Sequence, residues 1–141
     1  MMSYIIYIQQ RLESAKLHEE VADFFNVDQS KIGNLDSNVS KDIYINVEYF
    51  DTGFCTRLSV YFDAKNYNNL KEIDFSIFLS ERLNENVLIS FWANNPFLWI
   101  LIEPKGSLFK VQEIPGDDGV VIDFTSKELL SLEVVKRESL D

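Results

Sequence analysis

The sequence is poor in the side chains on which catalysis and metal binding most often rest: among 141 residues there is one cysteine, Cys55, and one histidine, His18. A lone cysteine forms no disulfide within its chain and excludes a Cys-rich metal site, and it fits a reducing compartment. His18 falls on a helical pattern beside Glu19 and Glu20, where a half-exposed surface imidazole is the ordinary reading and general-base work the rarer one. A dyad of Cys55 with His18 needs two separate elements to meet, and the nearest cation along the chain to Cys55 is Arg57. Cys55 therefore reads as a strand residue of ordinary reactivity.

Glycine and proline are also scarce, at five and three. Scattered glycines build neither the dinucleotide fingerprint nor a Walker-type phosphate loop ahead of a Lys and a hydroxyl side chain. Asp117-Asp118-Gly119 has the acids of a calcium loop but neither their alternation nor the distal glutamate, so it reads as an acidic turn. Paired carboxylates such as Glu19-Glu20 carry no specificity for acid–base chemistry in a chain this acidic, and they read as surface. The expectation is a function that is not enzymatic, with no catalytic residue, cofactor or metal.

Long hydrophobic runs are missing as well. The longest apolar stretch, Phe97 to Ile102, falls far short of the roughly 20 residues that cross a bilayer. The opening segment, Met1 to Ile8, is apolar, but it has no basic residue before the apolar run and no small-residue cleavage pattern behind it. A cytoplasmic protein without a membrane partner is expected.

Basic residues are few: 13 Lys and Arg stand against 23 Asp and Glu, a formal net charge of -10. Such a surface repels the phosphate backbone and sets nucleic acid aside as a partner. The same field attracts a basic protein and raises its association rate. Acidity also simply favours solubility, so charge by itself suggests a partner without naming one.

What the chain does have is apolar and aromatic bulk, 46% and 13% of its residues, enough for one folded domain over 1–141 with a single core. Tyr4 to Ile8 suits a strand. Leu17, Val21, Phe24 and Phe25 follow the spacing of a helix's buried stripe, with Glu20 and Asp23 elsewhere on its circumference. Asn26 to Lys41 reads as a loop or short irregular piece. Ile43, Ile45, Val47 and Tyr49, then Phe54, Leu58, Val60 and Phe62, give two alternating strands joined at Asp51-Thr52-Gly53, a hairpin with the glycine at positive φ. Phe75, Phe78, Leu79 and Leu83 mark a second helix that Asp74 or a neighbour would cap. Val87 to Trp92, Phe97 to Ile102 and Leu108 to Glu113 read as an antiparallel meander, its middle strand buried on both faces. Val120 to Phe124 reads as a brief strand, and Thr125-Ser126-Lys127-Glu128 as a capping box ahead of a last helix carrying Leu129, Leu130, Val134 and Val135. The predicted order is β-α-β-β-α-β-β-β-β-α, an α+β fold with two or three helices packed on a mainly antiparallel sheet.

In size, acidity and α+β organisation the whole chain resembles the immunity proteins that neutralise bacterial toxins, including those of contact-dependent growth inhibition. The resemblance implies binding of a cognate toxin domain, often a basic nuclease, whose cationic cleft an acidic surface fills in place of substrate. Glu48, Asp51, Glu113, Asp117 and Asp118 are the candidate partner-binding acids, although a solvated face is the other reading of the same residues. Trp92 and Trp99 are large enough to anchor a partner, and core packing is the commoner fate of such side chains. The alternative is an acidic dimeric chaperone of the type III secretion class, which the chain also resembles in size and charge. Such chaperones begin directly with a helix, whereas this sequence opens on a strand; they bind an extended effector segment and form stable homodimers. Monomer or dimer is left open.

Overall fold

The computed structural model describes residues 1–36, 40–67, 69–91, 95–116 and 118–138. Its centre is an eight-stranded sheet in the order β2-β3-β4-β1-β5-β6-β7-β8, built from β1 (Met2–Ile8), β2 (Ile32–Asn34), β3 (Ile43–Tyr49), β4 (Thr56–Phe62), β5 (Val87–Ser90), β6 (Leu98–Ile102), β7 (Leu108–Ile114) and β8 (Val121–Leu130). Every pair is antiparallel except β2 with β3. The fold is therefore α+β, and its element order follows the predicted one with one strand added.

Alternation along the strands sends one set of side chains to each face. Tyr4, Ile6 and Ile8 of β1, Ile43 and Ile45 of β3, Leu58, Val60 and Phe62 of β4, and Ile100 and Ile102 of β6 all point into the main core. Three helices contribute to that core: α1 (Ser14–Phe25), α2 (Glu72–Leu83) and α3 (Leu132–Glu138). Leu17, Val21, Phe25, Ile73, Phe75, Leu79 and Val135 are buried there against the strands. Tyr4 is packed edge-on to Phe62 at 4.9 Å and stacked with Phe75 at 5.7 Å, so a central strand and a helix share an aromatic cluster. Both longer helices end on an asparagine in the left-handed region, Asn26 and Asn84, which returns its backbone N–H to the last turn.

The structure overturns the predicted capping box. Thr125 to Glu128 do not start a helix but lie inside β8, which runs through Leu130, and the last helix begins only at Leu132. The pattern serves a β-bulge instead: Asp123 Oδ1 accepts from the backbone N–H and the hydroxyl of Thr125, while Ser126 Oγ donates to the Asp123 carbonyl and accepts from Gln112 N. The ladder shifts register opposite this point, between Lys110 and Gln112. Glu128 is a cross-strand ion-pair partner of Lys110 at 2.8 Å.

Smaller differences have local causes. Within the predicted loop, Gln29–Lys31 form one 3₁₀ turn and Ile32–Asn34 pair with β3, held by His18 Nε2 donating to the Ile32 carbonyl at 3.0 Å. Asp74 does not cap α2, which follows Lys71 without a side-chain cap; Asp74 lies in the first turn and pairs with Lys136 of α3 at 3.0 Å. Glu20, read as surface, is buried at 1% exposure and bonds Arg82 of α2 at 3.0 Å.

Candidate functional site

The face of the sheet turned away from the helices carries a second, smaller core. Leu88, Leu101, Val111, Ile122, Phe54 and Val120 are buried in it, with Tyr7, Trp99 and Phe109 packed partly buried around them. The backbone explains how it forms. Beyond Tyr49 the β3–β4 connection turns across this face, and Phe54 leaves the apolar side of its strand to form an isolated bridge with Val120. Thr52 Oγ1 donates to the Asp118 carbonyl at 2.9 Å, and the backbone N–H of Asp51 donates to Asp118 Oδ2 at 3.1 Å. Gly53 and Gly119 permit the approach: both have positive φ, and a Cβ on either would stand 2.2 Å or less from a backbone oxygen of the opposite loop. The two hairpin ends thus clasp over the face and roof its apolar half.

Beside the roof the face is partly open, with Glu48 exposed and Tyr7, Arg57, Trp99 and Glu113 half-buried. Cross-strand register aligns Glu48 with Arg57, Arg57 with Tyr7, Tyr7 with Leu88, and Leu88 with Leu101 in one row across five strands. Tyr7 meets Trp99 edge-on at 5.3 Å and stacks on Phe50 at 6.2 Å. Trp99 Nε1 donates to Glu113 Oε1 at 2.9 Å. Arg57 lies over the Tyr7 ring at 5.8 Å and pairs loosely with Glu48 Oε1 at 3.6 Å. That separation is too long for a hydrogen bond, and Arg57 Nε is buried without a partner among the described residues.

The electrostatics converge on Tyr7. Burial raises its phenol above the ordinary value of 10.0; Arg57 opposes the rise, while Glu48 and Glu113 both add to it. Carboxylates from β3 and β7, on opposite sides of the sheet's centre, therefore act on one hydroxyl.

Four of the five acids predicted from sequence are brought to this region. Glu48 and Glu113 stand on the open face, and Asp51 and Asp118 meet in the clasp, where the Asp118 carboxylate already serves the loop. Asp117 lies outside the described residues, as does Trp92. Trp99 is half-buried at the edge of the second core with its N–H bonded, so its ring packs while part of it stays exposed. Sequence reasoning passed over Tyr7, Phe50 and Arg57. Tyr7 sits in an apolar strand where alternation alone marks it as turned away from the main core. Cys55 is half-buried with its thiol donating to the Gly53 carbonyl at 3.3 Å.

Among the described residues no group of three or more His, Cys, Asp and Glu side chains is placed to hold a metal ion, and no helix is long and apolar enough to cross a membrane. No protein-family model, no curated protein and no solved structure matches the chain.

Proposed function

We propose that this chain is a cytoplasmic immunity protein, which binds a cognate bacterial toxin domain and neutralises it. The toxin domain is a basic one, a nuclease in the reading preferred here. One observation carries the proposal: in a chain of net charge -10, four separately predicted acids gather around one open sheet face whose floor is half-buried Tyr7 and Trp99. Aromatic side chains ringed by charge are the composition of a protein-binding surface, and acids supply the long-range attraction for a cationic cleft. Blocking would follow from occupancy, with carboxylates standing where the toxin expects phosphates.

The test is capture from the host with tagged protein, followed by identification of the eluted partner and retesting of the complex at rising salt. A stoichiometric basic toxin domain, inhibited on binding and associating more slowly as salt rises, is the expected result. Capture of a secreted effector through its N-terminal segment by a stable homodimer would replace the proposal with the secretion-chaperone reading.

A further inference from the structure

We infer that the open face between Glu48 and Glu113 is the surface that docks the partner, and that it seats a loop of a basic protein through arginine or lysine side chains laid over Tyr7 and Trp99. The inference rests on the toxin-binding reading for the kind of partner and goes beyond it by fixing the surface and the chemistry recognised.

The helices that cover the other face leave this one to its own hairpin ends. Tyr7 offers a ring that already accepts a guanidinium at 5.8 Å, and Trp99 stands edge-on beside it, so an aromatic floor suited to a second cation is in place. The carboxylates are held but not saturated. Glu48 takes its contacts from Asn46 and Arg57 on Oε1, and Glu113 takes the Trp99 N–H on its own Oε1. Among the described residues the second oxygen of each has no hydrogen-bond or ion-pair partner, and it can meet the fork of an incoming guanidinium. Arg57 stands between them and is loosely engaged, and Lys127, which lies over the Phe109 ring at 4.1 Å farther along the face, is already paired with Glu103 at 2.8 Å. The face is negative and aromatic together.

Charge decides among possible occupants. A second copy of the chain would set -10 against -10, and a nucleic acid would bring phosphates to carboxylates. A basic protein is the partner that complements the face.

The experiment titrates the full chain at low salt with an alternating Arg-Gly peptide, read by calorimetry, with an alternating Glu-Gly peptide as control. Glu48→Gln/Glu113→Gln should weaken the Arg-Gly peptide about tenfold or more, whereas Glu19→Gln/Glu133→Gln, with the same change in net charge at exposed helical positions, should weaken it less than about threefold. Trp99→Phe, which keeps the ring and releases Glu113, should give an intermediate loss. Equal loss in the two double variants, or no binding by the parent chain, would overturn the surface assignment. Thermal melts of each variant separate lost binding from lost folding, and Glu48→Gln alone, at an exposed carboxylate, serves should the double variant melt early. Capture of the basic toxin undiminished in Glu48→Gln/Glu113→Gln would sink the assignment while leaving the function reading intact; failure of the parent to capture any such protein counts against the function reading, and the peptide titration still decides the surface.

Discussion

The backbone N–H of Phe54 donates to the carbonyl of Val120 across 2.8 Å, and at that bond two hairpins from distant parts of the strand order meet. Phe54 is buried at 2% exposure beneath it. Phe54→Ala should cost about 3 to 5 kcal/mol, the usual range for removing a buried ring, measured by denaturant unfolding. Gly53→Ala and Gly119→Ala should each cost on the order of 2 to 4 kcal/mol, combining left-handed strain with overlap on the opposing backbone. Gly106→Ala is the control. It shares a positive φ but has open space around it, so its loss should be limited to about 1 to 2 kcal/mol.

The buried Glu20 carboxylate is held by Arg82 through Oε1, and its Oε2 is buried without a partner among the described residues. Arg82→Met should lower the melting temperature, because it strands a buried charge. Adding Glu20→Gln to Arg82→Met should recover much of the loss. A double variant no more stable than Arg82→Met alone would mean that Arg82 acts through its packing on Phe78, 5.2 Å away, and its bond to Asp23.

The Tyr7 phenol, raised mainly by burial, should titrate above 10.0 when followed by NMR of its ring. Glu48→Gln should bring its midpoint down and Arg57→Gln should send it up. The sign for stability follows from proton counting. Above pH 10 the unfolded chain releases this proton before the folded chain does, so the folded state binds more protons and stability falls as pH rises through that window. Tyr7→Phe should remove this part of the alkaline loss.

Ser126 bonds both strands at the bulge. Ser126→Ala should cost about 1 kcal/mol by leaving Gln112 N and the Asp123 carbonyl without their partner. Glu128→Ala, at an exposed ion pair, should change stability by less than about 1 kcal/mol. Were Glu128 instead acting as the second half of a capping box, its loss would be comparable to that of Ser126.

Where the alternation or helical stripe is long, the sequence identifies the element: the strand from Tyr4 to Ile8, the helix around Leu17 and Val21, the hairpin at Gly53 and the meander through Ile100 are all present. Ile32-Gly33-Asn34 is too short and too low in β-forming residues to show a period, so β2 depends on the neighbouring β3 and on His18. Thr125 to Glu128 fail for a different reason. Short hydroxyl side chains that bond backbone at a helix start bond it equally well at a bulge, and only the cross-strand partners Lys110 and Gln112 decide between the two. Glu48 and Glu113 were legible as acids near turns, but their action on one phenol depends on β3 and β7 lying on either side of β1 in the sheet, a relation between segments with no local sequence signature.

β1 lies between β4 and β5, and every other pair of neighbours in the sheet is consecutive along the chain. Without it the sheet would fall into two blocks, β2 to β4 and β5 to β8, each made of sequential strands. β1 is made ahead of both its partners: it pairs along its whole length with β4, and with β5 at Tyr7 and Ile8. Until Leu88 has left the ribosome, one edge of a strand rich in Ile and Tyr stands unpaired. The pairings of β1 thus span the longest stretches of chain between neighbouring strands, which raises the contact order and leaves an edge open to wrong partners until both neighbours are in place.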